Sequence, residues 1–334
     1  MKKNYFLAVS LLIAFAGCDN TEIESIADNE QVAAEVSAGI DGLKTRVTDD
    51  SEWQTGDVIG IYGTSGKLTY TAYRYNLIEG TNNFEPNSSF STIYYGAADG
   101  EFSAYYPYVE YSKLTNYKTI EGNIIKQQKT NYSPVGVRGQ DRIDFLYATA
   151  KGTKESPELK FQFAHKMSKL VIRLKAGKGF TTVPFASWYD LTFSSSANNL
   201  HSKVIFNPKD GTVTPDGTVD KLAFLYTANP RVSGKEVKKD GVIEYVEFVY
   251  ILCPGESVQG GLKFDLHYDN KNEGTTYTTQ LYTDESKTKF ETKEGTQYIY
   301  TVTVNKTEAK VTDTSINDWN SAVLPDNGEV DANS

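Results

Sequence analysis

The sequence predicts an all-β fold of two tandem antiparallel β-sandwich domains. Three observations lead there. Apolar side chains recur at every second position in many short runs. Turn-forming residues, Asp-Gly pairs above all, sit between those runs. Beyond the first 17 residues no long helical period is present.

The N-terminus comes first. Met1 precedes Lys2 and Lys3, and Tyr5 to Ala16 is almost wholly apolar. That length suits the apolar core of a signal peptide and is too short for a membrane-spanning helix. It ends in Phe15-Ala16-Gly17-Cys18, small residues ahead of a cysteine. This lipobox-like pattern predicts cleavage after residue 17 and lipidation of Cys18. Two or three acyl chains would anchor the product stably, at about 0.8 kcal/mol per buried methylene. Residues 18–30 are polar and acidic and read as a flexible tether.

The remaining chain exceeds one typical domain. Lys151 to Pro157 is polar, carries Gly152 and Pro157, and separates two strand-rich stretches. The expected domains are therefore 31–157 and 158–334. In the first, Val32, Ala34, Val36, Ala38 and Ile40 alternate with Glu35 and Ser37. In the second, Leu170, Ile172 and Leu174 alternate with Arg173 and Lys175. Phe264, Leu266 and Tyr268 alternate with Lys263, Asp265 and His267, and Tyr298 to Val304 alternates with threonines. Val242 to Leu252 is more uniformly apolar, as in a central strand covered on both faces. Pro208 to Gly211 and Pro215 to Gly217 read as turns. Barrels share these local patterns and stay open as an alternative.

Several function classes lack support. The net charge is −9, and removing Lys2 and Lys3 with residues 1–17 leaves −11. An acidic chain without a basic stripe is a poor nucleic-acid binder. With Cys18 lipidated, Cys253 has no partner within the chain, and its apolar setting predicts a buried, inert thiol. His165, His201 and His267 show no metal-ligand spacing. His165 has no nucleophile at readable spacing and is expected to hold a structural hydrogen bond. Asp269 to Gly274 places Lys271 where a calcium loop needs an oxygen, so it reads as a hairpin. No nucleophile-elbow, phosphate-loop or dinucleotide fingerprint occurs. Neither an enzyme nor a cofactor is expected. The 23 tyrosines, including Tyr94-Tyr95 and Tyr105-Tyr106, could stack on sugars but read first as strand formers.

An ordered set of short motifs runs through the chain. These are Trp53-Gln54-Thr55-Gly56-Asp57 before Val58 to Tyr62, Ser103-Ala104-Tyr105-Tyr106-Pro107, and Asp144 to Ala148. Phe161 to Leu170, Cys253-Pro254-Gly255, Gly295 to Tyr300 and Ile316-Asn317-Asp318-Trp319 follow. Together with the lipobox they resemble the fimbrillin family of lipoprotein pilins. Each motif is weak alone; the ordered set is fairly specific. The resemblance implies two transthyretin-like domains, and assembly into fimbriae by protease-triggered strand exchange. In that scheme the strand Val32 to Ile40 is removed, Arg46 is the processing site, and a neighbour's strand fills the groove. Implied partners are other fimbrial subunits, the outer membrane through the lipid, and a host or bacterial surface ligand. Trp319 is expected to close the second sandwich. The tail offers only Ala322, Val323 and Leu324 before Pro325, a thin donor strand that fits a tip or accessory subunit. A monomeric surface glycan-binding lipoprotein is the alternative.

Overall fold

The computed structural model describes residues 31–41, 52–128, 139–180, 189–197, 199–224, 234–270 and 273–320. Cys18, Arg46 and the tail after Asn320 lie outside them. Among the described residues helix is limited to single 3-10 turns at Ser89–Ser91, Tyr111–Lys113 and Gln140–Arg142. The chain is all-β, as the alternation predicts.

The first half contributes β1 (Glu35–Ile40), β2 (Val58–Ser65), β3 (Leu68–Leu77), β4 (Asn83–Pro86), β5 (Gly100–Tyr106), β6 (Ile120–Asn123), β7 (Leu146–Gly152) and β8 (Glu158–His165). All but β6 form one sheet, ordered β1-β4-β3-β2-β5-β7-β8, which closes through the β1–β8 pairing. Its core holds Val36, Ala38, Ile59, Ile61, Tyr75, Phe84, Phe102, Leu159, Phe161 and Phe163. The expected boundary after Pro157 thus falls one strand short of where this sheet closes. β8 belongs with the first half because Leu159, Phe161 and Phe163 alternate into its core.

The second half adds β9 (Ser168–Ala176), β10 (Tyr189–Ser194), β11 (Leu200–Phe206), β12 (Val213–Val219), β13 (Lys221–Phe224), β14 (Lys235–Lys239) and β15 (Val242–Leu252). It continues with β16 (Ser257–Gln259), β17 (Leu262–Asn270), β18 (Glu273–Leu281), β19 (Lys289–Glu291), β20 (Thr296–Val304) and β21 (Ala309–Asp318). A five-stranded sheet, β14-β15-β9-β20-β21, and a four-stranded sheet, β13-β10-β17-β18, share one core. Leu170, Ile172, Tyr250, Tyr298 and Tyr300 face Phe193, Phe264 and Leu266 there. This is the sandwich arrangement, two sheets burying their alternate residues against each other.

Several local expectations are refined. Pairing is mostly antiparallel, but β1 with β8 and β9 with β20 are parallel. Parallel neighbours need a long crossover, which the distance along the chain between each pair supplies. Gly211, at φ +75°, does make the turn between β11 and β12. Pro215 and Gly217, expected in a turn, instead lie inside β12. β12 is an edge strand, where a missing N–H is tolerated. Asn270 faces Glu273 across the β17–β18 hairpin, as the Asp269 to Gly274 reading requires. Only the second half of β15 is enclosed, since Val242 remains 69 % exposed.

A third core joins the halves. The sheet β12-β11-β6 takes strands from both, and Phe145 stacks on Phe206 at 4.6 Å. Met167, Ile251, Cys253 and Trp319 pack into the same cluster. Trp319 therefore sits at the joint, where it stacks on His165 at 3.7 Å, rather than closing the second sandwich.

Candidate functional site

β1 spans the six residues Glu35–Ile40. What its alternation does in space is seat one face inside the closed sheet. Val36 and Ala38 are buried, while Val32, Ala34 and Ile40 pack at the margins of the same core. Deleting this row would open a trough lined by Phe84, Leu159, Phe161 and Phe163.

The backbone of β1 bonds unequally on its two sides. Toward β8 it runs in parallel register from Glu35↔Glu158 to Ile40↔Phe163. Flanking bonds run from Glu35 N to Pro157 O at 3.0 Å and from Asp41 N to Phe163 O at 2.7 Å. Toward β4 the register covers only Val36↔Phe84 and Ser37↔Asn83. Upstream, Ala34 N donates to Ile93 O and Tyr95 N donates to Val32 O, both at 2.9 Å. β8 depends on β1 in turn, since its register with β7 is confined to Leu146↔His165 and Tyr147↔Ala164. Removing β1 would leave much of β8 with unpaired N–H and C=O groups along an apolar trough. Such an edge is a template for another strand.

The Trp53 to Asp57 motif clamps the end of this strand. Trp53 Nε1 donates to Ala38 O at 2.7 Å. Its ring meets Phe84, Tyr106 and Phe163 edge-on, at 5.2, 5.6 and 5.3 Å between centroids. The Asp57 carboxylate holds the clamp by accepting from Gln54 N at 2.7 Å and from the Tyr106 hydroxyl at 3.0 Å. Burial, then the nearby Asp57 charge, pushes the Tyr106 hydroxyl pKa well up, so Tyr106 stays a donor. Gly56, at φ +95°, and the Asp57 N–H, which donates to Gln54 O at 2.9 Å, make the turn that launches β2. The role of Trp53 as a cap on β1 has no signal in the sequence, because the two lie on opposite sides of the segment carrying Arg46.

The remaining motifs meet at the joint. The Asn320 side chain brackets the His165 backbone, with His165 N donating to Oδ1 at 2.6 Å and Nδ2 donating to His165 O at 3.2 Å. Gly295 N donates to Met167 O at 3.0 Å, and a Cβ on Gly295 would strike Asn320. His165 Nδ1 lies 2.9 Å from Asp144 Oδ1, and the side chain is buried. It is the structural histidine that the sequence suggested. Cys253 is buried as well; its thiol donates to Lys203 O at 3.3 Å, and burial pushes its pKa far up. Of the tyrosine pairs, Tyr95, Tyr105 and Tyr106 are core, Tyr95 and Tyr105 being 2 % and 0 % exposed, while Tyr94 is half-buried. Among the described residues no cluster of His, Cys, Asp and Glu could hold a metal ion. No helix among them is long and apolar enough to cross a membrane.

The described residues are thus strand-rich, with β1 seated in the core of a sheet that closes through its pairing with β8. The fimbrillin-like family model matches residues 45–319, and the chain belongs to that family, one of fimbrial structural subunits and not of enzymes. The match begins after β1. A candidate fimbrium subunit, Fim1C of Bacteroides uniformis, is 27 % identical over 98 % of this chain and 97 % of its own. The crystal structure of a candidate cell adhesion protein from Bacteroides uniformis superposes with a TM-score of 0.62 and 25 % identity. It covers 86 % of this chain and 99 % of that one. A candidate cell adhesion protein from Bacteroides ovatus gives 0.64 at 21 % identity, over 89 % and 99 %, which shows the shared fold.

Proposed function

We propose that this chain is a structural subunit of a cell-surface fimbria, exported as a lipoprotein through Cys18 and joined to its neighbours by exchange of β1. The single observation that carries the proposal is the seating of β1. Its alternate side chains fill the core of a sheet that closes only through its pairing with β8. Membership of the fimbrillin-like family and the likeness to a candidate fimbrium subunit support a fimbrial role.

Arg46 lies between β1 and the Trp53 clamp, so cutting there severs β1 from the fold without cutting any described strand. The vacated trough then accepts a strand from the next subunit, which restores main-chain hydrogen bonds and refills the Val36 and Ala38 positions. The lipid on Cys18 holds the subunit at the outer membrane until the cut releases it. The thin apolar stretch Ala322 to Leu324 favours a tip or accessory position, one that accepts a strand more readily than it donates one.

The test is digestion of the purified chain, starting at Cys18, with an arginine-specific protease. New N-termini and oligomer size are then followed. A single cut after Arg46 with ladder-like oligomers is expected for a stalk subunit. A cut that leaves a strand-accepting monomer is expected for a tip subunit. Resistance of the bond after Arg46, with β1 retained, would overturn the exchange scheme.

A further inference from the structure

A second concave site lies on the outer face of the first sheet, away from the β1 trough. It is an open groove of about 950 Å³. Its floor is the outward face of β3, β2, β5 and β7, and its walls are the segment Tyr111 to Lys118 and the β11–β12 turn. Tyr62 lies in the floor, while the Tyr70 ring is turned into the core of the closed sheet; Tyr111 and Tyr117 stand on the rim, 42 % and 61 % exposed. The two rim rings are 5.5 Å apart. Asn116 and Tyr117 both have positive φ, +53° and +57°. For a tyrosine that conformation is costly, and such strain persists where the surroundings enforce it, often at binding sites. Here it holds an aromatic ring open to solvent beside the groove.

The polar lining is equally distinctive. Thr64, Thr69 and Thr71, all exposed, line the floor. In a chain of net charge −9, the lining carries Lys118, Lys151 and Lys209 against Glu101 alone. Lys151 pairs with Glu101 at 2.6 Å. Among the described residues the Lys118 and Lys209 ammonium groups have no ion pair. The β11–β12 wall is fixed to the floor by Ser103 Oγ and the Tyr147 hydroxyl, which donate to Lys209 O at 3.1 and 3.2 Å. A wide groove with aromatic faces, spaced hydroxyls and unpaired cations does not fit a peptide strand, since β3, β2, β5 and β7 already pair along their length. It fits sugar rings, whose apolar faces lie on tyrosine while their hydroxyls and acidic substituents reach threonine and lysine.

We propose that this groove binds an acidic oligosaccharide, a uronate- or sulfate-bearing chain, with Tyr111 and Tyr117 as the stacking rim and Lys118 and Lys209 as the anion contacts. The groove is complete in the uncut chain, so it stands or falls independently of the exchange of β1. The experiment is calorimetric titration of the full chain from Cys18, uncut, with three probes: a polygalacturonate hexasaccharide, a chondroitin sulfate hexasaccharide and cellohexaose. At least one acidic probe is expected to bind more tightly than cellohexaose. The double variant Tyr111→Ala, Tyr117→Ala should weaken that binding about tenfold or more without changing the melting temperature, because both rings are on the surface. Lys118→Glu with Lys209→Glu should abolish the preference for acidic over neutral probes. Absence of binding by all three probes, equal binding by the tyrosine variant, or a preference for cellohexaose would each overturn the proposal.

Discussion

Trp53 concentrates the behaviour of the β1 trough in one side chain. It donates to the backbone of the strand and presses its ring against three aromatic neighbours, while Asp57 fixes the turn that carries it. Trp53→Ala is expected to lower stability by about 3 kcal/mol in a denaturant titration. Trp53→Phe keeps most ring contacts and loses the hydrogen bond, costing about 1 kcal/mol. If the two substitutions cost the same, the clamp does not act through packing. Glu256 gives a pH signature of its own. Its carboxyl is buried, accepts His201 N at 3.0 Å and lies 3.1 Å from His201 Nδ1. Desolvation raises its pKa above the ordinary carboxyl value, against the smaller opposing effect of His201. A folded pKa above the unfolded one means that the folded state binds more protons, so stability from this group falls as pH rises between the two. The cost is absent below the unfolded value, near pH ~4, and complete above the folded one. Glu256→Gln should therefore gain in melting temperature relative to the parent chain as pH rises through that window. A difference that does not change with pH would remove Glu256 from the account.

At the scale of elements, β1 is the strand on which the closure of the first sheet depends. It closes the sheet, and much of β8 has its described register with β1 alone. A chain beginning at Val47 is expected to melt at lower temperature and to bind a synthetic peptide of residues 31–41, which restores the melting temperature. The same peptide carrying Val36→Asp should bind at least tenfold more weakly, because an unpaired carboxylate would enter an apolar core. The substitution Ser37→Asp, on the outward face, should leave binding within about twofold. Equal binding by both altered peptides would mean that the trough does not read the alternation. The alternation of β1 and the core-facing positions of β8 are both legible in the sequence, because a half-buried strand needs period two. The Trp53 clamp is not, because nothing in a local window links Trp53 to Ala38.

The whole molecule depends on the joint. Three motifs far apart in the chain, around His165, Gly295 and Trp319, converge there. Trp319 stacks on His165 and lies 5.1 Å from the buried Lys169 ammonium, in a core shared by both halves. The two halves are therefore expected to unfold in one calorimetric transition. Trp319→Ala should cost about 3 kcal/mol and split that transition into two. Asn320→Ala, which frees the His165 backbone groups, should cost about 1–2 kcal/mol with a single transition retained. A single transition in Trp319→Ala would show that the β12-β11-β6 sheet alone couples the halves.

By itself the sequence determined the all-β class, most strand positions, the hairpin at Asp269 to Gly274 and the inert settings of Cys253 and His165. Those features follow from alternation, turn chemistry and the cost of burying charge, all of which act over a few residues. Tertiary structure decided which strands became neighbours: the parallel β1–β8 and β9–β20 pairs, the placement of β8 in the first sheet and the sheet shared between the halves. It also moved Trp319 to the joint and Pro215 to an edge strand, and it gathered Tyr111, Tyr117 and Lys209 around one groove. The reason is physical. Period two fixes which face of a strand is buried, but partner and direction depend on contacts between residues tens to hundreds of positions apart, which no local pattern encodes.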